Sequence, residues 1–270
     1  MDIPNILPVW QPVGHSTHII AAKVAEKYGV LTSHTGTIDP MAEGVVIVLL
    51  GEERLKKYEF AKWPKVYEFE VVFGLSTDTY DGMGVVTSFH EGAVSEEALR
   101  TALKSFEGEY TQDVPPYSAA RVKGKPLHWF ARNKKLSGIA IPRKVGKIYE
   151  IKLVDFYEKD FKHIVNALRE RISKVTGDFR QSQINTRWVQ LVEAQKAKKT
   201  VQVAKIWVKT SKGLYIRSLS QDIAHKMKTT GFVYSLVRTE NGEHTKKDAK
   251  TLVEVFGNNY SKTYNFTSNP

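Results

Sequence analysis

The chain has 270 residues, with 40 Lys and Arg against 29 Asp and Glu, a formal net charge of +11. That excess points to a polyanionic partner, either nucleic acid or an anionic membrane surface. There is no cysteine, which excludes disulfides, thiol catalysis, iron–sulfur clusters and cysteine-based zinc sites.

The opening MDIPNILPVWQPVG has no basic stretch leading into an apolar core, so it is not read as a secretory signal. The longest apolar run, VVIVLL at 45–50, is too short to span a bilayer. The expectation is a cytoplasmic protein of one large domain or two smaller ones. A first helix is predicted from Ser16 to Tyr28, with Ser16 or Thr17 as cap, Gly29 as stop and Ile20, Val24 and Tyr28 on one stripe. The run after Gly44 reads as a fully buried strand. KVYEFEVVFG (65–74) alternates, with Tyr67, Phe69, Val71 and Phe73 on one packed face. Residues 75–84 read as a polar connection. Ser95 caps a helix that buries Leu99, Leu103 and Phe106. Asp160 caps another, with Phe161, Ile164, Val165, Leu168, Ile172 and Val175 at helical spacing. QKAKK (195–199) is a charged break. VQVAKIWVKT (201–210) reads as a strand, SKG (211–213) as a turn and LYIRSL (214–219) as its hairpin partner, followed by a helix to about Lys228. The chain after Lys250 reads as a loosely ordered polar tail. Helices and strands mix without regular βαβ alternation, so the fold class is α+β with a mixed, mainly antiparallel sheet.

One carboxylate stands apart. In SHTGTIDPMAEG (33–44), Asp39 sits between Ile38 and Pro40 in a loop bracketed by Gly36 and Gly44. Asp-Pro alone is a turn signal. The glycines permit unusual φ or close backbone approach. The loop also leads directly into a rigid strand, the kind of support on which catalytic groups are placed. Turn residue and reagent are both open on these grounds.

The text HTGTIDPMAEGV resembles the signature H-T-G-x-L-D-P-x-A-x-G of the TruB-type tRNA pseudouridine synthases. KVYEFEVVFGLSTDTYDGMG, VPPYSAARVKGKPLHWFAR, SKGLYIRSLSQDIA and YSLVRTENG match further blocks of that family in order, so the resemblance covers roughly residues 11–245. It implies the pseudouridine synthase fold, with a cleft across the sheet, and an isomerase that acts on a flipped-out uridine. The expected substrate is tRNA, bound by its T-arm and modified at position 55, with no cofactor and no metal. It implies Asp39 as nucleophile, paired with Arg217, and Tyr67 as the ring that stacks on the base. Alternation of Arg217 with Tyr215 on one strand face supports the pocket reading of Arg217. His34, Gly36, Thr37, Tyr215 and Leu236 fall at substrate-binding positions. The basic, aromatic stretch 115–147 reads as an RNA-gripping element, with Arg121, Lys123, Lys125 and Arg132 as its contacts.

The sequence also departs from the family. Gln11 stands where the family has lysine. Residues 158–199 look like an insertion with its own amphipathic helix, either an RNA-binding arm or a docking surface. Only 25 residues follow Thr245, too few for the PUA domain of many relatives. The expected layout is a catalytic domain over 1–250 and a tail over 251–270, acting as a monomer without a membrane partner. The rival readings are a noncatalytic RNA-binding or RNA-folding protein that keeps the fold, and a two-carboxylate glycoside hydrolase. No second acid is placed as Asp39 is, and the charge suits RNA better than a neutral glycan.

Overall fold

The computed structural model describes residues 3–90, 92–194, 199–258 and 260. In chain order the elements are β1 (Ile6–Gln11), α1 (Thr17–Tyr28), β2 (Thr32–His34), β3 (Glu43–Leu50), a 3-10 turn (Gly51–Lys56), α2 (Lys57–Phe60), β4 (Lys65–Phe73), β5 (Leu75–Thr77), β6 (Val86–Phe89), α3 (Glu96–Lys104) and β7 (Gly108–Asp113). Then follow β8 (Arg121–Val122), β9 (Lys125–Pro126), α4 (Leu127–Arg132), β10 (Arg143–Asp160), α5 (Phe161–Ser173), α6 (Gln181–Glu193), β11 (Thr200–Thr210), α7 (Ile216–Lys226), β12 (Gly231–Asn241), β13 (His244–Thr245) and α8 (Leu252–Phe256). They form two units. One takes residues up to 68, 170–179 and from 236 on; the other takes 69–169 and 180–235.

In the first unit β1 and β3 pair antiparallel from Ile6↔Leu49 to Gln11↔Gly44. β2 pairs antiparallel with the end of β3, and the last part of β12 runs parallel to its start, with Arg238 opposite Gly44. β3 is a continuous apolar run because both its faces are covered. Val46, Val48 and Leu50 pack with Ile20, Ala21 and Val24 of α1 and Leu252 and Val255 of α8. Val45, Ile47 and Leu49 pack with Ile6, Trp10, Phe60 and Trp63. Gly29 ends α1 in the left-handed region (φ 65°), as predicted, and Ser16 is its N-cap residue without a side-chain capping bond. Gly44 is required sterically. Its φ is 138°, and a Cβ there would lie 2.3 Å from the Arg238 carbonyl oxygen. Gly44→Ala is therefore expected to cost about 3 kcal/mol or more, read as a lowered urea midpoint; an unchanged midpoint would contradict the close approach.

In the second unit the sheet order is β4, β11, β10, β7. β10 pairs antiparallel with β11 as far as Asp160↔Thr200, and its first part pairs antiparallel with β7. The mixed, mainly antiparallel sheet with flanking helices is the α+β class expected from sequence. The Ser95 hydroxyl accepts from the Ala98 N–H to cap α3, and the Asp160 carboxylate accepts from the His163 N–H at the start of α5. All six predicted stripe residues of α5 are buried.

Five expectations fail. Phe106 lies beyond the end of α3 and is only half-buried, so the buried stripe of that helix ends with Leu103. LYIRSL is not a strand: its residues from Ile216 on begin α7. The short alternation gave way to the longer helical spacing of Ile216, Leu219 and Ile223, all buried. β4 is packed on both faces, since Val66 and Val72 are buried together with Phe69, Val71 and Phe73. The stretch 75–84 is not all loop, because β5 and β6 pair. The chain after Lys250 is not loose throughout: Thr251 and Glu254 form a capping box for α8. Residue 259 and residues 261–270 of the predicted tail lie outside the described residues, as does most of the charged break at 195–198.

Candidate active site

The Asp39 loop of the first unit is a turn held from several sides. The Asp39 carbonyl accepts from the Ala42 N–H at 2.9 Å, which makes Asp39-Pro40-Met41-Ala42 a β-turn with Pro40 at its favoured second position. The Thr17 hydroxyl donates to Gln11 Oε1 at 2.6 Å and accepts from the Ile38 N–H at 3.2 Å. The Gly14 N–H donates to the Pro40 carbonyl at 2.8 Å, and Arg171 Nη2 donates to the Met41 carbonyl at 2.6 Å. The backbone on both sides of Asp39 is therefore anchored. Gln11 is fully buried, and its neutral amide satisfies both the Thr17 hydroxyl and the His15 carbonyl. A buried amide with both ends paired avoids the cost of a buried charge.

The largest anchor is Arg238, 1% exposed. Its Nε donates to the Val45 carbonyl at 2.7 Å, its Nη2 to the Gly36 carbonyl at 3.1 Å and its Nη1 to the Thr37 carbonyl at 3.4 Å. It also hydrogen-bonds the Tyr67 side chain; burial pushes the guanidinium pKa down, and Tyr67 opposes that. A buried guanidinium survives only when its donors are used. Here they tie Tyr67 and the Asp39 loop to one rigid group. Sequence reasoning missed Arg238. Its signal was a cation placed directly after the largely apolar run FVYSLV (232–237).

His34 ends β2. Burial is the main cause that lowers its pKa below 6.5, and the charges of His18, Arg238 and Lys57 add to it. The imidazole is therefore mostly neutral at pH 7. The unfolded chain takes up this proton as pH falls through 6.5 while the folded chain resists it, so the stability contribution is complete above 6.5 and declines below it. The urea midpoint is expected to fall from about pH 7.5 to about pH 5.5, with a shallower fall in His34→Gln; equal slopes would contradict this. Leu236 is buried in β12.

In the second unit Arg217 is the second residue of α7 and 4% exposed. Its Nη1 donates to the Thr79 carbonyl at 2.8 Å and its Nη2 to the Tyr117 carbonyl at 3.1 Å, with Nε 3.8 Å from Asp81 Oδ2. Asp81 is itself fixed: its carboxylate accepts from the Thr79 hydroxyl at 2.6 Å and the Met83 N–H at 2.9 Å. Tyr215 is the N-cap residue of α7, and its carbonyl accepts from Gln112 Nε2 at 3.1 Å. The strand-face argument for Arg217 thus falls, because Tyr215 and Arg217 do not alternate on a strand. Arg217 is nonetheless a buried, multiply bonded guanidinium rather than a surface cation.

The segment 115–147 carries a small hairpin, β8 and β9, whose turn residues Lys123 and Gly124 both have positive φ (47° and 79°), the requirement of a two-residue hairpin turn. Arg121, Lys123, Lys125 and Arg132 are exposed. Lys125 Nζ lies 3.7 Å from the Trp129 ring centre and Lys135 Nζ 5.4 Å from it. Phe130 of the same stretch is buried and packs the core. Lys65 is also buried and donates to the Ala61 and Trp63 carbonyls.

The sequence pattern of the TruB family pseudouridylate synthase N-terminal domain matches residues 25–176. The chain belongs to the TruB family. Among relatives of this TruB-family chain is the tRNA pseudouridine synthase B of Caldanaerobacter subterraneus, 31% identical over 257 residues, covering 94% of this chain and 75% of that one. The enzyme of the same name from Ureaplasma urealyticum is 29% identical, with 96% of each chain covered. A chain in the crystal structure of a Cbf5–Nop10–Gar1 complex shares the fold, with a TM-score of 0.56 at 18% identity over 92% of this chain. The present chain spans about half of that one (52%). The TruB-family pattern ends at residue 176, before Arg180 and Trp188 of α6, whose contacts the sequence reading also missed.

Proposed function

We propose that this chain is a tRNA pseudouridine synthase that isomerises the T-loop uridine at position 55, working in the cytoplasm as a monomer. Asp39 is the nucleophile, Tyr67 the ring that stacks on the extruded base, and Arg217 the cation that favours the ionised carboxylate. The carboxylate attacks the ribosyl group as the C1′–N1 bond breaks. The base turns, C5 joins C1′ as the bond between C1′ and the Asp39 carboxylate breaks, the C5 proton leaves and N1 takes up a proton. The reaction is an isomerisation with no net redox change. Gly36 and Thr37 in the Asp39 loop, together with His34, Tyr215 and Leu236, serve substrate binding. The exposed Arg121, Lys123, Lys125 and Arg132 hold RNA phosphates, with half-buried Trp129 beside them. The catalytic module takes in residues 1–250 together with α8, whose Leu252 and Val255 belong to the core of the first unit.

The observation that carries this reading is the buried Arg238, which fixes both the loop bearing Asp39 and the side chain of Tyr67. Such support is what a reacting group needs to keep its geometry. The test is site-resolved pseudouridine mapping of an unmodified tRNA transcript after incubation with the protein. Pseudouridine at the T-loop position is expected. RNA binding without pseudouridine anywhere in the tRNA would establish the noncatalytic alternative instead.

A further inference from the structure

β10 and β11 close on each other at Asp160↔Thr200, yet the chain between them carries two helices, α5 and α6. A short turn would have joined the strands. The question is what the second helix is for, and its contacts answer it.

Arg180 is the N-cap residue of α6 and adopts a left-handed φ of 65°. A non-glycine residue rarely takes that conformation without compensating contacts. Its guanidinium grips the Asp78 carboxylate in a fork, Nη1 to Oδ2 at 2.7 Å and Nη2 to Oδ1 at 3.2 Å. The same guanidinium carbon lies 4.5 Å from the centre of the Tyr117 ring. The Tyr117 hydroxyl donates to Asp78 Oδ2 at 3.2 Å, which closes a triangle of three side chains. Further along α6, Trp188 is 1% exposed and its Nε1 donates to the Gly82 carbonyl at 3.3 Å. Phe161 and Phe232 hold that indole, with ring centres 6.3 Å and 5.4 Å away. α6 therefore grips the segment 78–82 at both ends, and Tyr117 besides.

Arg217 takes its partners from the same two places: the Thr79 carbonyl, the Asp81 carboxylate and the Tyr117 carbonyl. An arm built to bind RNA would present Arg180 to phosphates. Here its fork is directed at a carboxylate and its face at a ring, so its charge is largely neutralised within the protein.

We propose that α6 is a positioning clamp for Arg217, acting through the 78–82 segment and Tyr117. The proposal rests on the reading in which Arg217 serves the isomerisation. It is tested with the full chain by single-turnover pseudouridine formation on unmodified tRNA, alongside tRNA affinity. Arg180→Met is expected to slow the step at saturating RNA by about tenfold or more while the Kd changes less than about twofold. Arg180→Lys keeps a cation for Asp78 and is expected to recover part of the rate. Arg180→Met combined with Asp78→Asn is expected to be no slower than the slower single variant, because the two side chains act as a unit. Trp188→Phe removes the bond to Gly82 together with part of the indole's packing, and serves if the Arg180 variants fold poorly. Weakened RNA binding with an unchanged saturated rate would overturn the clamp in favour of an RNA-binding arm. If the wild type forms no pseudouridine, the functional reading fails and the clamp is judged by hydrogen exchange. Faster exchange of amides 78–84 in Arg180→Met, with β11 unchanged, would support it; equal exchange would overturn it.

Discussion

Asp39→Asn is expected to lower the rate of pseudouridine formation by about three orders of magnitude or more, as loss of a nucleophile does in other enzymes. The substitution is nearly isosteric, and the anchors of the turn described above are bonds to backbone groups. The turn bond uses the Asp39 carbonyl, Pro40 supplies its φ, and Asn suits turns as well as Asp does. The neighbouring anchors on Ile38, Pro40 and Met41 are backbone bonds that the variant retains. The melting temperature should therefore move little, and tRNA affinity should stay within about threefold if the loss is chemical rather than a loss of binding. Measured together, rate, affinity and melting separate the nucleophile from the turn residue. Substantial activity in Asp39→Asn would return Asp39 to a purely structural role.

The second large effect is on stability. Arg238→Met is expected to destabilise the protein by about 3 kcal/mol or more, since it leaves the buried Val45 carbonyl and the less buried Gly36 and Thr37 carbonyls without their donor. In a chain of this size that is a melting shift on the order of 10 °C. Arg238→Lys should recover only part of it, because an ammonium cannot serve three diverging carbonyls from one planar fork. Activity should fall further than stability predicts in both variants, since the same guanidinium holds Tyr67. A melting point within about 2 °C of wild type in Arg238→Met would show that the carbonyls find other donors.

These two residues also mark what the sequence could and could not disclose. Asp39 was legible because its neighbours form a long motif with two glycines at fixed places. α1, α3 and α5 were legible because their apolar spacing runs over several turns and their caps or stops are explicit. Arg238 was not, because an arginine in a strand is read as solvent-facing unless its partners are known, and its partners are backbone carbonyls far away in sequence. LYIRSL failed because a few alternating residues fit either period; Ile223, outside that window, decides for the helix. α8 and α6 were missed despite usable signals. Thr251 and Glu254 have capping-box spacing, and Ile184, Trp188 and Leu191 form a buried stripe. The Arg180–Asp78–Tyr117 triangle joins residues up to 102 positions apart, and no local pattern encodes it.

The division of the chain has a consequence for how the protein is made. Neither unit is a continuous stretch: the first needs residues from both ends together with 170–179, and the second is interrupted by that segment. β3 is synthesised early, but the strand that runs parallel to its start arrives almost 200 residues later, at Val237 and Arg238. Closing so long a loop carries an entropic cost that must precede any reward from the contact. The buried faces around Gly44 thus stay incomplete on the ribosome until β12 has emerged. The nascent chain is expected to remain protease-sensitive around the Asp39 loop for most of translation, and to gain protection there only after residue 238 clears the exit tunnel.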